Sequence, residues 1–157
     1  MSEIVEKVVA RLIDRHYTIT FAETCTGGLM ASELISVPGA SKVFNASVIV
    51  YSNESKIRYT GISDHILINY GAVSEEAVKA MAKGIAIQNK ANIGVAISGI
   101  TGPQGGTPDK PVGMVCFGFY INDQAITMTH YFGEIGRSQI REESVRFAYK
   151  ALLEMIK

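Results

Sequence analysis

The chain of 157 residues falls in the range of one domain, taken here as 1–157, and is long enough to bury a sizeable core. Hydrophobic residues at 47% and charged residues at 19% are ordinary globular values, and fifteen basic side chains balance fifteen acidic ones. No net field therefore draws the chain to nucleic acid or to an anionic membrane. Cys25 and Cys116 are too few for a disulfide framework and point to a reducing compartment. No signal-peptide pattern precedes the first helical segment, and no apolar run is long enough to span a bilayer, so a cytoplasmic location is expected.

Ile4, Val5, Val8, Val9, Leu12 and Ile13 make one apolar stripe at helical spacing, with Glu3, Glu6, Lys7 and Arg11 opposite. Thr18, Ile19, Thr20 and Phe21 then read as a strand. It runs through AETCTGG into a helix marked by Leu29, Met30, Glu33 and Leu34, which Pro38 and Gly39 end. Residues 44–51 (FNASVIVY) read as a second strand, and Ser52 or Asn53 is placed to cap a short helix carrying Lys56. Residues 59–70 mix small helical turns with polar loops. Beyond the turn at Gly71, residues 75–89 form a helix with Ala77, Val78, Met81, Ala82, Ile85 and Ala86 inward. Residues 93–98 (IGVAIS) have the apolar run of a strand covered on both faces.

Residues 99–113 hold five glycines and three prolines, which excludes helix and regular strand. A loop of that length inside a domain is usually functional or disordered, and its mixture of Pro with Gly between strands favours a shaped, functional loop. Residues 114–121 and 125–132 are two strands joined by Asn122-Asp123, short enough for a hairpin. The last helix, residues 138–156, buries Ser144, Phe147, Ala148, Ala151, Leu152 and Met155, and Arg137 sits near its start. This order predicts a three-layer α/β/α domain on a mixed sheet of about five to six strands.

Ligands of such sheets gather at the carboxyl ends of the strands. Three polar, glycine-bearing segments leave predicted strands there: residues 23–28, 52–56 and 98–113. The first offers three nucleophiles, Thr24, Cys25 and Thr26, followed by Gly27 and Gly28, where backbone amides and a helix dipole favour a developing anion. Either Thr24 or Thr26 is equally suited to plain N-capping. His16, His65 and His130 are scattered and show no metal-ligand spacing, no Walker lysine follows the glycine-rich loop, and no histidine triad has a local signature. What remains is a hydroxyl or thiol activated by a lysine of lowered pKa. Lys56 is the candidate base. Lys110, set among Pro108, Asp109 and Pro111, is the competitor for that role or a partner for phosphate.

AETCTGG, VPGAS, VIVYSNESK, YGAVSEEAV and SGITGPQGGTPDKPVG, with Arg137 at a helix start, resemble in order and spacing the C-terminal domain of the competence/damage-inducible CinA family. The resemblance runs from about Ile4 to the end of the chain. It implies the α/β/α fold already reached, and hydrolysis of the carboxamide of nicotinamide mononucleotide to nicotinate mononucleotide and ammonia, in pyridine-nucleotide salvage and without a cofactor. It also implies that Thr24 is the nucleophile and Lys56 its base, with Tyr51 completing the catalytic set and, beside Ser52 and Asn53, shaping the pocket. Cys25, Thr26, Gly27 and Gly28 would line the site with backbone donors. Ser98, Thr101, Gly102, Gly105, Gly106 and Lys110 would close over the nucleotide, and Arg137 would meet its phosphate or ribose.

The expected partner is thus a small-molecule nucleotide, with neither nucleic acid nor membrane, and a homodimer or higher homo-oligomer is compatible with the sequence. Two departures stand out, since the family's usual serine is Thr24 here and its usual alanine is Thr101. The extra methyl of a threonine restricts χ1 and crowds an attack trajectory. The alternative is therefore a weak or inactive nucleotide-binding module, with Cys25 as a reserve nucleophile.

Overall fold

The computed structural model describes residues 1–157 and arranges six helices around five strands. The strands are β1 (Ile19–Glu23), β2 (Phe44–Ile49), β3 (Ile93–Gly99), β4 (Met114–Ile121) and β5 (Gln124–Tyr131), in the sheet order β2-β1-β3-β4-β5. β1 pairs in parallel with both β2 and β3, while β4 and β5 return antiparallel. The hairpin turn at Asn122 and Asp123 puts both residues at positive φ, 47° and 70°, the left-handed geometry that Asn and Asp tolerate best. The expected mixed sheet therefore has five strands.

The helices are α1 (Ser2–Arg15), α2 (Leu29–Ile35), α3 (Asn53–Thr60), α4 (Asp64–Tyr70), α5 (Glu75–Gln88) and α6 (Arg137–Met155). Side chains alternate across each strand, and here the alternation sorts them by size. Ile19, Phe21, Ile93, Val95, Ile97, Val115, Phe117 and Phe119 join the larger core, which α1, α2 and α6 cover. Ala22, Ala96 and Cys116 join the smaller core beneath α5. That helix is itself built of small residues, with Ala77, Ala82 and Ala86 buried. A Cβ at Gly94 would strike the Ala82 carbonyl, and one at Gly118 the Val78 carbonyl, so α5 lies almost on the sheet backbone.

Several boundaries differ from expectation. β2 stops at Ile49: Val50 N–H makes a last bond to β1, at the Glu23 carbonyl, and the chain then turns into the α3 cap. Residues 59–70 contain a full short helix, α4, capped by Ser63. On α6 the buried residues are Ile140, Ser144, Val145, Ala148, Tyr149 and Leu152, whereas Phe147, Ala151 and Met155 are only partly buried. Two contacts set this rotation: the Tyr149 hydroxyl donates to the Met30 carbonyl at 2.5 Å, and Phe147 stacks on Phe117 at 4.5 Å between centroids. No helix is long and apolar enough to cross a membrane.

Candidate active site at the strand exits

Because β1, β2 and β3 are parallel, their carboxyl ends share one edge of the sheet. The chain leaves β1 toward α2 on one face and returns to β3 from α5 on the other, which makes the β1/β3 exit a topological switch point. Thr24 sits on that junction. Its N–H and its hydroxyl both donate to the Ile97 carbonyl of β3, at 3.2 and 2.7 Å.

Neither threonine caps α2. The N-cap is Gly28, at φ 98°, with no side-chain cap. In its place Glu23, the last residue of β1 and fully buried, folds its carboxylate under the helix. Glu23 Oε1 accepts from the Thr26 hydroxyl at 2.7 Å, from Gly28 N–H at 3.2 Å and from Met30 N–H at 2.9 Å. Oε2 accepts from Ala31 N–H and from the Ser47 hydroxyl, both at 3.1 Å. The positive end of α2, expected to receive a developing oxyanion, is thus already neutralised from below. Gly27 N–H is also engaged, with the Thr24 carbonyl at 3.2 Å. Gly27 and Gly28 N–H, expected as anion donors, are thus both hydrogen-bonded within the turn, whereas Cys25 and Thr26 N–H make no hydrogen bond.

Lys56 enters from β2. Ser52 caps α3 by accepting from Ser55 N–H, which starts the helix so that its fourth residue turns inward. Lys56 is 4% exposed, has no carboxylate partner, and donates from Nζ to the Tyr51 carbonyl at 3.0 Å. Burial holds its pKa below the usual lysine value, and the nearby Cys25 thiolate would oppose the shift. Cys25 is buried, and burial pushes its thiol up to about 11 against the pull of the Thr24 hydroxyl and the Arg141 guanidinium. The Cys25 thiol thus lies beside the Thr24 hydroxyl and within electrostatic reach of the Lys56 amine, which arrives from the β2 exit. No hydrogen bond joins Thr24 Oγ1 to Lys56 Nζ, since each is held by a backbone carbonyl.

The rim is built by Arg137, the first residue of α6, which donates to the Gly102 carbonyl at 2.8 Å and to the Tyr51 hydroxyl at 3.2 Å. Tyr51 is 68% exposed, its hydroxyl accepting from Arg137 and its carbonyl from Lys56. Beside it lies a cleft of about 290 Å³ lined by Thr101, Pro103, Val112, Glu134, Gly136 and Arg137. Ser98 and Thr101 are buried near the β3 exit, and Ser52 and Asn53 lie exposed at the α3 start.

Three predicted residues stand apart. Gly105 and Gly106 form the exposed tip of the loop, and Lys110 Nζ donates to the Tyr70 carbonyl at the end of α4. Lys110 faces a second cavity of about 630 Å³ with Glu75, Lys79, Cys116 and Thr129, and neither this cavity nor the cleft beside Tyr51 is lined by Thr24 or Lys56. No group of three or more His, Cys, Asp or Glu side chains is placed to hold a metal ion.

Two residues escaped the sequence reading. Glu23 was placed only at the start of the polar segment leaving β1, and its carboxylate is buried against Ser47 and the start of α2. Arg141 lies four residues after Arg137, on the same helix face, and its Nε donates to the Cys25 carbonyl at 2.8 Å. A second cation so early in a helix was the available signal, because the dipole disfavours it there.

Fold and site together describe a mixed α/β/α domain with a buried lysine and a hydroxyl-bearing turn at its switch point. The chain belongs to the CinA C-terminal domain family, whose model matches residues 1–156. Among relatives, a CinA-like protein of Kosmotoga olearia is 43% identical over 98% of this chain and 38% of its own length. A CinA-like protein of Fervidobacterium nodosum is 42% identical over 96% of this chain and 36% of its own. The chain thus spans little more than a third of the length of these relatives. The competence/damage inducible protein CihA from Agrobacterium tumefaciens superposes with a TM-score of 0.96 at 32% identity, covering 99% of this chain and 95% of that one. A competence-damaged protein (CinA) superfamily protein from Escherichia coli gives 0.94 at 31% identity, covering 98% and 89%.

Proposed function

We propose that this domain is an amidohydrolase that cleaves the carboxamide of nicotinamide mononucleotide, releasing nicotinate mononucleotide and ammonia. The observation that carries this reading is Lys56. Lysines are almost never fully buried without a charged partner, and one that is, at a ligand-binding edge, is suited to act as a base. Its neutral amine takes the proton of the Thr24 hydroxyl as Oγ1 attacks the amide carbon. The oxyanion is met by the backbone N–H of the turn after Thr24. The lysine ammonium then returns its proton to the departing nitrogen, which leaves as ammonia, and water hydrolyses the acyl-enzyme with the amine again as base. Arg137 at the rim suits the nucleotide phosphate, and the exposed Tyr51 ring suits the pyridine. The family resemblance supplies the substrate, and nothing in this chain's site asks for a cofactor.

The test is ammonia release from nicotinamide mononucleotide by the purified protein. Thr24→Ala and Lys56→Ala are each expected to lower kcat by roughly 10²- to 10⁴-fold, the usual range for a positioned base or the nucleophile it serves. Absence of turnover by the wild-type chain anywhere from about pH 6 to about pH 10, a span that includes the ordinary range of a lowered lysine pKa, would sink the proposal.

One observation favours a second reading, a nucleotide-binding module without turnover. The Thr24 hydroxyl is spent on the Ile97 carbonyl at 2.7 Å, and the extra methyl stiffens χ1 there. That reading predicts heat-stabilisation by the nucleotide with no ammonia formed, and a gain of turnover in Thr24→Ser.

A further inference from the structure

The turn that follows Thr24 is gripped from outside as well as from below. Arg141 Nε donates to the Cys25 carbonyl at 2.8 Å, and Nη2 to the next carbonyl, that of Thr26, at 3.3 Å. The guanidinium lies against Gly27, where a Cβ would stand 3.1 Å from Nη2. A trans peptide is planar, so its carbonyl and the following N–H point in opposite directions. Holding the Cys25 carbonyl therefore aims Thr26 N–H away from Arg141, and holding the Thr26 carbonyl aims Gly27 N–H back to the Thr24 carbonyl.

The donors on either side of Cys25 and Thr26 are spoken for. Gly28, Met30 and Ala31 N–H go to Glu23, Leu29 N–H goes to the Thr26 carbonyl, and Thr24 N–H goes to Ile97. Cys25 and Thr26 N–H are the two donors left without a hydrogen-bond partner, one and two residues from Thr24, and Thr26 N–H is the one whose peptide Arg141 holds. Arg141 itself has no carboxylate partner, the two ion pairs of the molecule being Lys7–Glu3 and Arg146–Glu143. It stands in the second turn of a helix with no acidic residue in its first turn, where a cation is electrostatically misplaced. Its position serves the turn rather than the helix.

We propose that Arg141 is a positioning residue that orients the Cys25–Thr26 peptide so that Thr26 N–H meets the oxyanion. This rests on the amidase reading above. The guanidinium touches no reacting atom. It acts by fixing a peptide plane, with Glu23 fixing the amides that follow.

The test uses the full chain with Arg141→Gln and Arg141→Lys. Both are assayed with nicotinamide mononucleotide and its thioamide analogue, whose developing sulfur anion is a poorer hydrogen-bond acceptor. Arg141→Gln is expected to lower kcat by about 10²- to 10³-fold, the usual loss for one oxyanion donor, with KM within about twofold. The preference for carboxamide over thioamide is expected to shrink in parallel. Arg141→Lys keeps the charge but cannot span two carbonyls, so it stays impaired.

A kcat within about threefold of wild type, or a loss confined to KM, overturns the proposal, since one oxyanion donor should cost far more in kcat. So does failure of both variants to fold by circular dichroism, because the arginine would then be structural. Absence of turnover by wild-type protein defeats the amidase reading instead. The orientation is then judged from the Thr26 backbone amide resonance and its hydrogen exchange, which must change in Arg141→Gln; an unchanged amide overturns the proposal.

Discussion

Three side chains at the β1 and β2 exits divide the work by their surroundings. Cys25 is the most nucleophilic type among them, yet burial holds its thiol near 11 and so keeps it protonated at neutral pH. Lys56 is shifted the other way by the same cause, toward the neutral amine. Desolvation therefore disarms the thiol and arms the base. It also leaves a stability signature. In the window between the lowered folded value and the ordinary lysine value, the unfolded chain binds the extra proton, so stability rises with pH. The cost of burying Lys56 is fully present below the folded value and vanishes above the unfolded one. Lys56→Met is accordingly expected to be more stable than wild type at pH 7 while losing turnover, with the difference closing toward about pH 10.4. Urea midpoints at pH 7 and pH 10 check this, and a methionine variant less stable at pH 7 would contradict it.

At the scale of elements, the unusual feature is how α2 begins. A seven-residue helix contributes little by itself, and its N-terminal amides are satisfied by a carboxylate from the preceding strand. Glu23 therefore ties β1, β2 through Ser47, and α2 into one unit beneath Thr24. Replacing one carboxylate oxygen by an amide turns a donor against donors already in place. Glu23→Gln is expected to cost about 1–3 kcal/mol, the penalty for a buried mismatched polar group. Chemical denaturation reads this directly, and a neutral outcome would mean that the helix start is held by packing alone. α6 plays the complementary part from the other side, sending Arg137 to the rim and Arg141 to the turn one helical turn later.

Over the whole molecule, the site is held in place by how closely α5 lies on the sheet. Small residues of β1, β3 and β4 face it, and Gly94 and Gly118 admit its carbonyls almost to the strand backbone. A methyl at residue 94 meets backbone, which cannot swing aside as a side chain could. Gly94→Ala is expected to cost about 2–3 kcal/mol, the upper part of the usual overpacking range. A loss under about 1 kcal/mol in urea denaturation would show that α5 can lift without harm.

The fold was largely legible because period-2 and period-3.6 patterns are local. The α5 inner face, the apolar β3, the Asn-Asp hairpin and the three loops at one sheet edge all follow from neighbours within a few residues. Even the sorting of large and small side chains by strand face can be read in IGVAIS. The site was legible only as a list of candidates. Whether a lysine is a base or a surface charge depends on water being excluded by segments far along the chain. Thr24 is held by a carbonyl 73 residues away, and the Cys25 carbonyl by a guanidinium 116 residues away. The order of residues alone determined which groups were on offer at the strand exits; tertiary packing decided which were dried, which were tied, and that Lys110 belongs to another cavity, because desolvation and hydrogen bonding are properties of the assembled surroundings and not of a residue's neighbours in the chain.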